Sequence, residues 1–141
     1  MKDAEILFFT RLWTLLGSFE EKAFKVGLVG EKSRFFRYQM SKAIFSVIDV
    51  LLIQEKQYHW SYKERLDRII NIYPDNNGYV ELFHWAYNER MSPGDVTMSP
   101  EEVIEYYKKV HRMFFKEMFV ALSKFYDKEI HSTVDIDSHF N

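Results

Sequence analysis

The longest regular pattern in the chain runs from Arg34 to Gln57, RFFRYQMSKAIFSVIDVLLIQEKQ, and contains neither proline nor glycine. Phe36, Met40, Ala43, Ile44, Val47, Ile48, Leu51 and Leu52 recur in it at spacings of three and four. That spacing lays them along one side of a helix and predicts the central helix of a bundle. Arg37 interrupts the pattern. At roughly 100° per residue it projects only about 20° from Ile44, onto the apolar stripe itself. A guanidinium placed there needs a carboxylate partner or an anionic ligand, because an unpaired buried charge is costly. Asp49 and Asp67 are the internal partners the sequence offers, and both answers stay open at this level.

Upstream, Asp3 is a candidate N-cap for a helix with Phe8, Leu12, Leu16, Phe19, Ala23 and Val26 along one face. Gly17 falls inside it at a cost of about 1 kcal/mol relative to alanine, and is expected to permit a close helix approach. A glycine kink beside a ligand is the functional alternative. Gly27-Leu-Val-Gly30 ends the helix with glycine at hand for its C-cap. No Gly-Lys-Ser/Thr follows, so these glycines are not a phosphate loop.

Downstream of the central run, Ser61 and Glu64 form a capping box that opens a third helix, with Leu66, Ile69, Ile70 and Tyr73 inward. Pro74-Asp-Asn-Asn-Gly78 stops it with strong turn residues. A short helix from about Tyr79 to Arg90 is expected to bury Val80, Phe83, Ala86 and Tyr87. Ser92-Pro93-Gly94-Asp95 breaks the chain again. Ser99, Pro100 and Glu102 then supply an N-cap, a first-turn proline and a second capping box. The last helix carries Val103, Tyr107, Val110, Phe114, Met118, Ala121 and Phe125 on one stripe. From His131 onward no period is visible. The expected architecture is all-α, an up-and-down helical bundle of about four to five helices over residues 1–130, with a polar tail over 131–141.

Composition sharpens this only in places. Rings make up 18% of the 141 residues, with 13 Phe and 9 Tyr, so they must fill much of the interior. A net charge of −2 with interspersed signs argues against a dedicated duplex-DNA binder. The absence of cysteine excludes disulfides and thiolate metal sites. No run approaches the roughly 18 apolar residues that cross a bilayer, and no small-residue cleavage site follows the first apolar stretch. No membrane contact is expected, and the expected location is the cytoplasm. Whether Met1 is a native start or a domain boundary is left open.

Candidate chemistry is sparse. Glu81-Leu-Phe-His84 has the Glu-x-x-His spacing of carboxylate-bridged di-iron bundles, but such sites need the motif twice, and no second copy exists. No metal or cofactor is therefore expected, and His84 reads as a partly exposed helix residue. No glycine-flanked serine elbow is present. Glu64, Arg65, Asp67 and Arg68 alternate in sign and are expected to form an exposed, ion-paired face. Lys22, Lys25, Lys32, Arg34, Arg37 and Lys42 cluster around the first helix junction, interleaved with Phe35, Phe36 and Tyr38. Cations beside rings suit a phosphate and a stacked base. Lysines at a helix C-terminus and phenylalanines in a core account for many of the same residues.

The run Phe36-Arg37-Tyr38-x-x-Ser41-Lys42-Ala43-Ile44-x-x-x-Ile48-Asp49-x-Leu51-Leu52, followed by Tyr58-x-x-Ser61-Tyr62-x-x-Arg65, resembles the HEPN superfamily, the higher eukaryote and prokaryote nucleotide-binding domains. It is most similar to versions that accompany minimal nucleotidyltransferases, and Ser99-Pro100-Glu101-Glu102 matches a familiar entry to their final helix. The resemblance covers roughly Arg34 to Phe125 through loose patterns of residue type. It implies a non-catalytic domain that binds a nucleotide or other phosphorylated ligand, as a homodimer or with a nucleotidyltransferase partner. The expected contacts are Arg34, Arg37 and Lys42, with Tyr38 as a stacking ring. Ribonuclease members of the family carry Arg-x(4–6)-His, and here Arg90-Met-Ser-Pro-Gly-Asp95 puts aspartate where the shortest version has histidine. Aspartate lacks the near-neutral pKa of imidazole, which weakens that branch. Two alternatives follow: an atypical RNA endonuclease using Arg90 and Asp95, or a purely structural bundle in which Arg37 pairs with an internal carboxylate.

Overall fold

The computed structural model describes residues 2–17, 21–74 and 78–135. Among the described residues the main helices are, in order, α1 (Lys2–Gly17), α2 (Ala23–Val26), α3 (Gly30–Gln54), α4 (Tyr62–Ile72), α5 (Tyr79–Met91) and α6 (Pro100–Tyr126). The fold is an all-α bundle with α3 as its axis, packed against α1, α4, α5 and α6. Met40, Ala43, Ile44, Val47, Ile48 and Leu52 on α3 are fully buried, as the spacing of apolar residues predicts. Phe8 of α1 meets Phe114 of α6 edge to face at 5.4 Å. Burying such rings stabilises each by roughly 1.5–3 kcal/mol, which is how a helix as long as α3 comes to be held on nearly every side. The central helix begins four residues before Arg34 and ends three before Gln57. Lys56 takes a left-handed φ of 57°, and the Gln57 N–H returns to the Leu52 carbonyl, which closes the helix end.

The first helix differs from its expectation. Among the described residues Glu21 and Lys22 form a turn, so α2 stands apart from α1. Phe19 and the side chains of Asp3 and Leu16 lie outside the described residues. Gly17 makes no close approach, for a Cβ there would meet nothing within 4 Å. The close approach is at Gly27. With a φ of 73°, it lies so near the Met98 carbonyl that a Cβ would collide with it. Leu28 and Met98 exchange both backbone bonds at 2.8 Å and tie α2 to the entry of α6.

Capping follows the sequence closely at α6, where Ser99 and Glu102 satisfy each other's backbone N–H in both directions. At α4 only half the box forms. Ser61 accepts from the Glu64 N–H, but its own N–H donates to His59 Nδ1 at 3.1 Å. Inward residues are also redistributed on α5, where Leu82 joins Phe83 and Ala86 in the core while Val80 and Tyr87 are half-buried. The reason is that α5 contacts both α3 and α4, so its buried arc is wider than one stripe. Past α6, Ile130 is buried and the Ser123 hydroxyl both accepts from its N–H and donates to its carbonyl. Among the described residues no helix is long and apolar enough to cross a membrane.

Candidate functional site

The first turns of α3 place Ser33, Arg34 and Arg37 against the segment that joins α5 to α6, with Tyr38 beside them. Ser33 donates to the Val96 carbonyl and Arg34 pairs with Asp95. Arg37 is 2% exposed. One of its terminal nitrogens bonds both carboxylate oxygens of Glu89, at 2.9 and 2.8 Å, and the other donates to the Gly94 carbonyl. Its Nε has no partner among the described residues. Arg37 thus clamps the central helix to the end of α5 and the loop beyond it.

The partner is a correction to the sequence reading, since it is neither Asp49 nor Asp67. Asp49 lies three helical turns further along α3 and accepts from Arg65 at 2.6 Å, while Asp67 pairs with Lys63 on its own helix. Arg65, assigned above to an exposed face, is 5% exposed. Its guanidinium lies 4.1 Å from the Tyr62 ring centroid and 5.3 Å from that of Phe45. The aromatic faces add to the Asp49 ion pair in offsetting the desolvation of the flat cation, which is how it is tolerated inside. Burial outweighs this partner at Asp49, whose carboxyl is pushed above the usual range.

Tyr38 is the exposed centre of the cluster, at 41%. Lys42 Nζ lies 4.4 Å and the Arg90 guanidinium 4.8 Å from its ring centroid. Arg90 reaches on to Tyr62, donating to its hydroxyl at 2.5 Å. Lys42, Tyr38, Arg90, Tyr62 and Arg65 therefore form an alternating series of cations and rings across α3, α4 and α5. The hydrogen bond from Arg90, helped by the charges of Arg90 and Lys42, holds the Tyr38 phenol below its ordinary pKa. Beside Tyr38 opens a pocket of about 350 Å³ lined by Glu31, Arg34, Phe35, Tyr38, Glu89 and Pro93.

Of the four residues expected to contact a ligand, Arg34 and Tyr38 line this pocket and Lys42 stacks on Tyr38. Arg37 lies behind them, engaged internally. Arg90 and Tyr62 were not foreseen as members, and the signal for Arg90 was its place as the basic residue in the last turn of α5. Arg90 and Asp95 do not bond one another: Arg90 serves the tyrosines and Asp95 serves Arg34. Lys25 pairs with Glu21 beside α2. Glu81 and His84 gain no third ligand, as the described residues contain no group of three or more side chains able to hold a metal. Comparison with protein-family models, with curated proteins and with solved structures finds no match for this chain.

Proposed function

We propose that this protein is a non-catalytic helical domain of the HEPN type that binds a nucleotide or other phosphorylated ligand and works beside a nucleotidyltransferase. The observation that carries this reading is the convergence of Lys42 and Arg90 on the ring of Tyr38, beside a pocket that Arg34 also lines. An exposed aromatic face accepts a base by stacking, and guanidinium and ammonium groups around it accept phosphoryl oxygens. Arg37 takes a positioning role in this reading. Its bond to Glu89 and Gly94 fixes the loop that carries Asp95, and Asp95 in turn orients Arg34.

Isothermal calorimetry and thermal melting with a panel of nucleoside mono-, di- and triphosphates test the proposal. Binding at a ligand concentration of 100 times the dissociation constant stabilises the fold by about 2.7 kcal/mol, a shift of several degrees. Arg90→Ala and Tyr38→Ala are expected each to weaken that binding at least about tenfold. No heat and no shift with any nucleotide at millimolar concentration ends the reading.

A second reading, a bundle that serves as an interaction scaffold alone, is favoured by one specific observation. Arg37, the charge least at home on an apolar stripe, finds its partner inside the molecule. That reading predicts no nucleotide stabilisation and unchanged behaviour of Arg90→Ala in ligand titrations.

A further inference from the structure

Lys109, Arg112, Lys116 and Val120 follow at spacings of three, four and four, which places them within about 80° of one another on α6. Arg112, Lys116 and Val120 are exposed. Two cavities open along this face. One, of about 520 Å³, lies against the start of α5, with Tyr79, Leu82 and Met113 lining it beside Lys109, Arg112 and Lys116. The other, of about 400 Å³, lies against the segment beyond α6, with Phe119, Val120 and Ile130 beside Lys116 and Lys124. Lys116 lines both, so they adjoin as one groove that follows α6 from Lys109 to Lys124, about 22 Å. Its apolar floor is firm: Leu82, Met113 and Ile130 are buried, and the Ser123 hydroxyl holds Ile130 in place. Its charges are unbalanced. Lys109 pairs with Glu105 at 2.7 Å, whereas Arg112, Lys116 and Lys124 form no ion pair among the described residues. One carboxylate lines each cavity, Glu81 and Glu129, and Glu129 lies 3.6 Å from His131.

We propose that this groove docks an acidic amphipathic helix of a partner protein. Cations along an apolar channel recognise a segment that carries carboxylates beside an apolar stripe, the helix-in-groove mode. The apolar side chains of that helix cover Val120 and reach toward Leu82, Met113 and Ile130, and its carboxylates meet Arg112, Lys116 and Lys124. Arg112 can take a carboxylate through two parallel hydrogen bonds, while the lysines act as point charges. Single-stranded nucleic acid fits less well, because it needs exposed ring faces on which bases stack. Tyr79 and Phe119 are half-buried here, and Lys116 Nζ lies 5.7 Å from the Tyr79 ring centroid. No residue of the groove lines the pocket beside Tyr38, so this inference does not rest on the ligand reading.

Fluorescence anisotropy of the full chain with a labelled synthetic peptide tests this. The peptide is about fifteen residues long, with glutamates and leucines placed three and four apart on one helix face. Its affinity is expected to exceed that of a scrambled peptide of the same composition at least about tenfold, and to fall as salt rises. Arg112→Glu and Lys116→Glu are each expected to weaken it about tenfold or more, and Val120→Asp likewise. The double variant R112E/K116E is expected to take instead a peptide with lysine in place of glutamate. All three positions are exposed, and unchanged melting curves show that the variants fold. No binding of the acidic peptide at about 1 mM, equal binding of the scrambled one, unchanged affinity in the charge variants, or a double variant that refuses the lysine peptide each overturns the proposal. So does a Val120→Asp variant that binds normally, which would leave charge alone as the attraction. A single-stranded RNA oligonucleotide that binds more tightly than the peptide, and loses its affinity in the same variants, gives the face to nucleic acid and overturns it too. None of these outcomes bears on nucleotide binding at Tyr38.

Discussion

Tyr38 holds two cations against one ring, and its phenol answers to both. The Arg90 hydrogen bond is the largest influence, and it favours the tyrosinate, so the proton leaves earlier than from a free tyrosine. Burial acts in the opposite direction on Tyr73, Tyr79, Tyr106 and Tyr107, raising each of them. Tyr38 is therefore expected to ionise before those four in an ultraviolet tyrosinate titration. Arg90→Ala should move its step back up toward the ordinary value. A first step that stays in place in Arg90→Ala would show that Arg90 does not set the Tyr38 pKa. The same residue illustrates what a local pattern reveals. Its exposure and its neighbour Lys42, one turn on, are legible from spacing, whereas Arg90 comes from a helix 41 or more residues away in sequence.

At the scale of elements, two buried ion pairs fasten α3: Arg37–Glu89 to α5 and Arg65–Asp49 to α4. The Arg37 side chain is 3% exposed and that of Glu89 15%, so solvent does little for either charge once its partner is gone. Arg37→Ala and Glu89→Ala are each expected to destabilise by about 3–5 kcal/mol in urea unfolding, because each leaves a buried charge uncompensated. The double replacement Arg37→Met/Glu89→Leu removes both charges together and should recover most of that loss. Single variants that cost less than about 1 kcal/mol would mean the pair is solvated in solution. The helices themselves were readable from caps, breaks and periodicity, with α6 matching at both its start and its stripe. The turn at Glu21 and Lys22 that sets α2 apart was not, because a hydrophobic period can run on through a turn.

For the molecule as a whole, carboxyl groups act on stability with two signs. Asp95 is held below the ordinary range by its hydrogen bond to Arg34, and Asp135 by the His131 N–H and the Ser132 hydroxyl. Glu101 is lowered too, by hydrogen bonds at the start of α6. Their contribution is present above the unfolded pKa and is lost as pH falls through the lower folded pKa. Asp49 has a folded pKa above its unfolded one, so the folded state keeps that proton to higher pH, and ionising it reduces stability. The melting temperature is expected to fall in acid as the lowered groups protonate. NMR titration of the carboxyl carbons should place Asp49 above, and Asp95 and Asp135 below, ordinary aspartates. An Asp49 midpoint at or below that of Asp95 would contradict the burial argument.

What the chain determined by itself was its all-α class, the central helix and its buried stripe, and the caps that open α4 and α6. Each of these follows from residues within a turn or two of one another, where helical geometry alone decides which side chains share a face. What tertiary structure decided was the company of the charges. Arg37 found Glu89, Arg65 went inside against Asp49 and the rings, and Arg90 crossed to Tyr38 and Tyr62. Ion pairing depends on which helices lie side by side, and a guanidinium on an apolar stripe says only that it needs a partner. The packing of α3 against α4 and α5 supplies which one.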